Sequence, residues 1–269
     1  MEGLVSSMEH ILDVKDLTMD FGGLRAVDSV DLYVDKKEIV ALIGPNGAGK
    51  TTFFNCITGI YNPSKGDIKA ITHSGAAARL NGLKPNRVTE RGLARTFQNI
   101  RLFQNMTVLE NVMIGKHCRM KAKVLGALLR DRRTRAEELK AANESYEILE
   151  KIGLAKFSDE IASNLPYGAQ RKLEIARAMA TEPSLLLLDE PAAGMNPQET
   201  RELTDLIRQI RDNEDISILL IEHDMKLVMN LSERIYVMDH GQKIAEGTPV
   251  DIRNNPEVIK AYLGEDIDA

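Results

Sequence analysis

Residues 44–52 read GPNGAGKTT, and this short stretch leaves few folds open to the chain. It fits the pattern GxxxxGK[ST], in which glycines let the backbone curl so that successive N–H groups converge on a phosphate. An apolar run ends just before it at Ile43, and a helix is expected to follow as far as Gly59. A chance glycine-rich turn would lack this strand–loop–helix context. The predicted phosphate-binding residues are Gly44, Pro45, Asn46, Gly47, Ala48, Gly49, Lys50, Thr51 and Thr52.

Four side chains are predicted to carry the chemistry of a nucleoside triphosphatase. Lys50 would reach the β- and γ-phosphates, and the Thr51 hydroxyl would bind Mg²⁺. A second apolar run, at residues 185–188, ends in Asp189 and Glu190. Asp189 is expected to hold Mg²⁺ through water, and Glu190 to polarise the attacking water as general base. The alternative is that the two acids only cap the next element, but the phosphate loop favours the catalytic interpretation.

Apolar runs that alternate with helical patterns predict an α/β fold with a parallel sheet. Residues 38–43, 185–188 and 217–221 have the continuous apolar character of strands that are covered on both faces. Residues 236–245 indicate two further strands joined by a tight turn. The clearest helical stripe consists of Leu203, Leu206, Ile207 and Ile210.

The middle of the chain differs from this pattern and is predicted to be helical. We interpret residues 99–175 as a helical subdomain inserted between two core segments, 9–98 and 176–269, of one domain that spans residues 1–269. Residues 130–138 carry a charged run that indicates a solvated helix face, and residues 72–86 are expected to form a loop. A second helical stripe is predicted from Leu139, Ala142, Tyr146 and Leu149.

Composition excludes several functions. The net charge is -5, Trp is absent and aromatic residues make up 4% of the chain, which argues against a nucleic-acid-binding surface. Cys56 and Cys118 have no metal-binding spacing, so both are expected to be reduced thiols. The N-terminus has no apolar signal core, and no apolar run approaches the ~20 residues needed to span a bilayer. Any role at a membrane would therefore depend on a partner.

With these motifs in this order, the chain resembles the ATP-binding cassette family over nearly its whole length. The resemblance implies an α/β P-loop NTPase fold with a RecA-like core, an antiparallel β portion and an inserted α-helical subdomain. It implies that Phe21 stacks on the adenine of ATP, that Gln98 senses Mg²⁺ and the transport partner, and that His223 acts as the switch histidine at the γ-phosphate. Without the other motifs of the family, Phe21 would more often be a core residue and His223 a surface residue.

The resemblance also implies a signature segment that completes the ATP site of a second cassette. The family's usual sequence is Leu-Ser-Gly-Gly-Gln, so Pro166 here replaces the serine whose hydroxyl would bind the partner's γ-phosphate. Proline is tolerated in the first turn of a helix, so the helix dipole and the Gly168 N–H are retained. A heterodimer is favoured, because only one of its two sites would carry the change. The segment consists of Leu165, Pro166, Tyr167, Gly168, Ala169 and Gln170.

A closer resemblance is to the branched-chain amino-acid transport ATPases of the LivG type. It rests on residues 95–103, 167–177 and 189–197, and most specifically on the tail at 253–264, which ATP hydrolysis does not require. It implies two transmembrane permease subunits, indirectly a periplasmic binding protein, and a peripheral position on the cytoplasmic face of the inner (plasma) membrane. Related cassettes for urea or amides share much of this pattern, so these cargoes stay open.

Two other classes of protein fit the sequence less well. Soluble cassette ATPases that act on nucleic acid or ribosomes usually carry two cassettes or a long coiled-coil insertion, whereas this chain has one cassette and a short helical insertion. A P-loop GTPase would need an Asn-Lys-x-Asp motif for its base, and the sequence has none. The transport ATPase is therefore the favoured interpretation of the sequence.

Overall fold

The computed structural model of the protein describes residues 10–72, 75–119 and 132–265, so the charged run at 130–138 lies partly outside the described residues. The described residues fall into two compact units: one holds those up to Arg95 and from Ser184 onward, and the other holds those between Thr96 and Pro183. The sequence put the boundaries at 98/99 and 175/176. The second unit begins earlier, at Thr96, and ends later, at Pro183, so that it contains the whole helix Tyr167–Met179.

The strands of the first unit form two sheets. The strands are β1 (Leu12–Phe21), β2 (Leu24–Val34), β3 (Ile39–Ile43), β4 (Lys65–Ile71), β5 (Ala77–Arg79), β6 (Leu93–Arg95), β7 (Leu185–Asp189), β8 (Ser217–Ile221), β9 (Arg234–Asp239) and β10 (Gln242–Gly247). One sheet has the order β10-β9-β3-β8-β7-β6, and the other has the order β2-β1-β4-β5.

The six-stranded sheet is parallel except for β10, which pairs antiparallel with β9. Every residue of β3, β7 and β8 is buried, which confirms that the continuous apolar runs are covered strands. The predicted hairpin is also present, since β9 ends at Asp239 and β10 begins at Gln242. The structure thus confirms the α/β class and the parallel core.

The four-stranded sheet is antiparallel, as the family resemblance implied. Its inner face buries apolar side chains such as Leu12, Leu17 and Ile68 in the core of this unit. Strand β2 also reaches the glycine-rich loop, because a Cβ added at Gly49 would lie 2.4 Å from the carbonyl oxygen of Ala26. This sheet therefore brings the β1–β2 hairpin to the loop of residues 44–52.

The described part of the first unit contains six helices. They are α1 (Lys50–Ile57), α2 (Pro85–Glu90), α6 (Pro197–Glu214), α7 (Met225–Leu231), α8 (Pro249–Arg253) and α9 (Pro256–Glu265). Asn196 caps the start of α6 and forms a capping box with Glu199, and Asp215 ends this helix at φ 60°. The predicted apolar stripe of α6 is confirmed, since all four of its members are buried.

The second unit contains three longer helices among its described residues. They are α3 (Val108–Lys116), α4 (Arg132–Lys151) and α5 (Tyr167–Met179). The face predicted for α4 is right for Leu149, which is buried, but wrong for Leu139, which is 64% exposed, and for Tyr146, which is 41% exposed. The buried face carries Leu149 with Ala141 and Ile148, and also the small polar residue Ser145, which a search for apolar residues does not find.

Residues 72–86 are not only a loop. Within the described part of this segment, Ala77–Arg79 form β5 against β4, and α2 begins at Pro85. The strand is short and its residues Ala-Ala-Arg have no β-branched side chain, so propensity gave no signal. Over the described residues, no helix combines the length and the apolar character that crossing a bilayer requires.

Candidate nucleotide-binding site

The candidate site lies at the carboxyl edge of the parallel sheet, where three neighbouring strands end. The glycine-rich loop follows β3, Asp189 closes β7, and His223 comes two residues after β8. Because β8 lies between β3 and β7 in the sheet, these three ends are adjacent. Ligands of open α/β sheets bind at this edge, outside the carboxyl ends of the strands.

The loop requires glycine at its two narrow points. At Gly44 the φ is 148°, and a Cβ there would lie 2.0 Å from the carbonyl oxygen of Met238. At Gly49 the φ is 96°, and its Cβ would approach the carbonyl oxygen of Ala26. A side chain at Gly44 would push the loop away from strand β9, and one at Gly49 would push it away from strand β2. The backbone therefore curls as the phosphate-binding pattern predicted, with helix α1 starting at Lys50.

Lys50 folds back into this loop. Its Nζ donates to the carbonyl oxygens of Gly44 at 2.6 Å and Pro45 at 2.7 Å, and the residue is 6% exposed. An ammonium that is buried and donates to two backbone carbonyl oxygens is a fixed positive charge inside the curl of the backbone. Thr51 is the next residue of α1 and is exposed beside it.

Glu190 and His223 are in direct contact. Nε2 of His223 lies 2.8 Å from Oε1 of Glu190, in an arrangement where the imidazole N–H donates to the carboxylate. The contact follows from strand register, since Asp189 of β7 pairs with Ile221 of β8. Glu190 has a φ of 48°, a left-handed conformation that is strained for a non-glycine residue and that recurs at functional sites.

Asp189 is paired with an arginine to which the sequence analysis assigned no role. Nη2 of Arg95 lies 2.6 Å from Oδ2 of Asp189, and both side chains are nearly buried. The donor chemistry fits Mg²⁺, because the carboxylate of Asp189 and the hydroxyl of Thr51 are hard oxygen ligands. In sites of this kind, substrate phosphates and water supply the remaining ligands.

Glu222 is a second group that the sequence analysis did not single out. Its carboxylate accepts hydrogen bonds from the backbone N–H of Ala192 at 2.7 Å and of His223 at 3.0 Å. Burial raises the pKa of Glu222, although these N–H groups oppose the shift. A carboxylate directly after a buried strand was the available signal, and the same signal had identified Asp189.

Phe21 ends β1 and is 41% exposed, so the structure does not place it in the core. Its ring and that of Tyr61 form an edge-to-face pair, with ring centroids 5.2 Å apart. The β2 residue Ala26 contacts the loop close to Gly49, which puts the hairpin that carries Phe21 next to the phosphate loop in space. An exposed aromatic face at this position suits stacking on a base.

Gln98 and the signature segment belong to the second unit. Arg171 of α5 donates to the carbonyl oxygens of Phe97, at 2.9 Å, and of Gln98, and so ties the glutamine loop to the signature helix. Pro166 is the N-cap of α5 rather than a residue of its first turn, which corrects the sequence expectation. An N-cap normally supplies a side-chain acceptor, and Pro166 supplies none.

The side chain of Gln170 reaches back over this helix start. Its Nε2 donates to the carbonyl oxygen of Leu165 at 2.9 Å, and its backbone N–H donates to the carbonyl oxygen of Pro166 at 3.0 Å. Gly168 is buried in the first turn. The segment is thus an ordered helix start, even without a capping side chain.

A phosphate loop after a buried strand, with acids at the end of a nearby strand, defines the class of P-loop nucleoside triphosphatases. Within that class, the profile of the family described as ABC transporter matches residues 27–193. The chain belongs to the ATP-binding cassette (ABC) transporter family, whose members bind ATP, and it is an ATPase, as the sequence predicted. A second profile, described as branched-chain amino acid ATP-binding cassette transporter, matches residues 242–268.

Curated relatives and a solved structure agree with this assignment. The chain is 51% identical over 257 residues to the high-affinity branched-chain amino acid transport ATP-binding protein LivG of Salmonella typhimurium, which covers 96% of this chain and 99% of the relative. It is 48% identical to BraF of Pseudomonas aeruginosa, which carries the same description, over 95% of this chain and 98% of the relative. A crystal structure of an ATP-binding cassette of an ABC transporter in its ADP conformation aligns with a TM-score of 0.80 and 30% identity, over 96% of this chain and 100% of the other.

Proposed function

We propose that this chain is the ATP-hydrolysing subunit of an importer of branched-chain amino acids. The observation that carries the proposal is the likeness to LivG and BraF over 95% or more of the chain. The branched-chain amino acid cassette profile also matches the C-terminal tail, at residues 242–268. The tail supports the cargo class because it lies outside the residues that bind and hydrolyse ATP.

ATP would bind with its adenine on Phe21 and its phosphates in the loop of residues 44–52. Lys50 already lies inside that loop and would neutralise the charge of the β- and γ-phosphates. Thr51 and Asp189 would hold Mg²⁺ with the phosphates, and Gln98 is the third proposed metal contact. Bound Mg²⁺ would offset the charge that develops on the transferred phosphoryl group.

Glu190 would act as general base in hydrolysis. The attacking water gives its proton to Glu190 as its oxygen bonds to the γ-phosphorus, and ADP leaves with the electron pair of the broken bond. His223, at 2.8 Å from Glu190, would hold this carboxylate in place and lie where a γ-phosphate can be sensed. Glu222 accepts hydrogen bonds from the backbone N–H groups of Ala192 and His223, and so would fix the backbone that follows Glu190 and the backbone of His223 itself.

A second cassette would complete the site, and its signature helix would meet the γ-phosphate. Because Pro166 removes a donor from the signature of this chain, a heterodimer with a serine-bearing partner is the proposed arrangement. Two transmembrane subunits and, indirectly, a periplasmic binding protein would complete the transporter. The proposed location is the cytoplasmic face of the inner (plasma) membrane, with the chain as a peripheral subunit.

Transport in cells that lack this chain tests the proposal. Loss of the chain should abolish ATP-dependent uptake of radiolabelled leucine, isoleucine and valine, and the unchanged chain should restore it. Glu190→Gln should fail to restore uptake, whereas Glu147→Gln, at an exposed position on α4, should succeed. If uptake of urea or an amide were lost instead, the cargo assignment would be wrong.

A further inference from the structure

A buried ion pair joins the strand before the glutamine loop to the proposed metal ligand. The side chains of Arg95 and Asp189 are only 7% and 5% exposed, and Nη2 lies 2.6 Å from Oδ2. Ionised groups that have left water need a counter-charge or hydrogen bonds, because desolvation otherwise disfavours their charged form. Arg95 is therefore a counter-ion of Asp189.

Arg95 holds the helix after the phosphate loop at the same time. Its Nη1 donates to Oδ1 of Asn55 at 2.7 Å and to Oγ1 of Thr58 at 3.2 Å. Its guanidinium carbon also lies 5.5 Å from the ring centroid of Phe54. One planar group thus contacts α1 through one nitrogen and the end of β7 through the other.

The contacts on α1 lie on the face that carries Thr51. Thr51, Asn55 and Thr58 are spaced at i, i+4 and i+7, so they follow one another along one side of the helix. Arg95 therefore links the carboxylate of Asp189 to a residue one helical turn from the hydroxyl of Thr51. These are the two protein groups that the proposed function assigns to Mg²⁺.

We propose that Arg95 is a positioning residue of the Mg²⁺ site, which acts through Asp189. It fixes the carboxylate relative to α1, and its charge lowers the attraction of the buried carboxylate for a divalent cation. The inference rests on the proposed function, because it takes Thr51 and Asp189 as the groups that hold the metal. Arg95 itself contacts neither nucleotide nor metal in this role.

Charge and geometry can be separated with two substitutions. Arg95→Gln removes the positive charge, whereas Arg95→Lys keeps it but replaces a planar fork with a point charge that cannot hold Asn55 and Asp189 in the same way. The Mg²⁺ concentration that half-saturates binding of a fluorescent ATP analogue to the full chain should fall about tenfold in Arg95→Gln, because a nearby unit charge no longer repels the metal. In Arg95→Lys it should stay within about threefold of the wild-type value, since the charge remains.

Turnover should respond to geometry and not to charge alone. ATP hydrolysis at saturating Mg²⁺ should drop about tenfold in both variants, because neither holds the carboxylate against α1. Asn55→Ala provides a variant that leaves no charge unpaired and serves if Arg95→Gln does not fold by circular dichroism. It should lower turnover about threefold or more and leave the Mg²⁺ midpoint unchanged.

Several results would overturn the inference. These are a Mg²⁺ midpoint in Arg95→Gln that is unchanged or raised, a midpoint in Arg95→Lys that moves with it, or full turnover in Asn55→Ala. Thr51→Ala and Asp189→Asn provide the reference for the metal site. If Thr51→Ala and Asp189→Asn both keep the wild-type Mg²⁺ midpoint, the metal assignment fails and the inference on Arg95 fails with it. If these two substitutions change the midpoint but Arg95→Gln does not, only the inference on Arg95 fails.

Discussion

Replacing Glu190 by glutamine isolates the proton-accepting role of this carboxylate. The glutamine side chain would have nearly the same shape on the same backbone conformation at φ 48°, and its amide oxygen can still accept a hydrogen bond from His223. The amide cannot take a proton from water at neutral pH. Any large loss of turnover in this variant therefore reports the base and not the packing of the site.

The size of the loss follows from the chemistry and from the contact. A positioned general base contributes about 10²- to 10⁴-fold, so turnover in Glu190→Gln should fall by about 10²-fold or more. A hydrogen bond to a charged group contributes about 1.5–3 kcal/mol. The His223 side chain is 41% exposed, so the lower end applies and His223→Ala should cost about tenfold.

Phosphate release by the assembled transporter, with binding of a fluorescent ATP analogue measured in parallel, checks both values. Affinity for ATP should be nearly unchanged in Glu190→Gln, and Glu147→Gln on the exposed face of α4 should behave as wild type. If His223 acts through Glu190, the double variant should be no slower than Glu190→Gln alone. Near-normal turnover in Glu190→Gln, or losses that simply multiply in the double variant, would refute this account of the pair.

Further outcomes follow from the same structure. Lys50→Ala should weaken binding of a fluorescent ATP analogue about 10- to 100-fold, because the phosphates lose a buried positive charge; exposed Lys36→Ala is the control, and equal affinities would count against the loop as the site. Pro166→Ser should raise ATPase activity of the homomeric chain about 10- to 100-fold by restoring a hydroxyl donor, and no change would remove the argument for a heterodimer. Burial raises the pKa of Cys56 to about 12, so this thiol stays protonated at pH 8 while exposed Cys118 reacts. Ellman's reagent should therefore titrate one thiol in the native protein and two in denaturant, and two rapid equivalents would contradict the burial.

The sequence predicted helices and strands well where apolar residues formed a continuous run or a regular helical stripe. The stripe of α6 and the strands β3, β7 and β8 were found because continuous or periodic apolar residues reflect the burial that holds them. The prediction failed for residues 77–79 and for Leu139 and Tyr146 on the face of α4. Both depend on neighbours, since β5 exists by pairing with β4, and a small polar residue, Ser145, lies on the buried face of α4.

Whether a feature of the site could be predicted from the sequence depends on how far apart along the chain its interacting residues lie. The curl of residues 44–52, and with it the place of Lys50, was readable from the sequence because glycines and a following helix decide it locally. The contact of Glu190 with His223 spans 33 positions, and that of Arg95 with Asp189 spans 94. Such pairs depend on which strands are neighbours and in what register they pair, and both are determined only when the strands pack into a sheet. Charged groups that become buried there are stabilised by pairing with one another. The motifs therefore predicted the chemical role of each residue, whereas the order of the strands in the sheet determines which of these side chains are in contact.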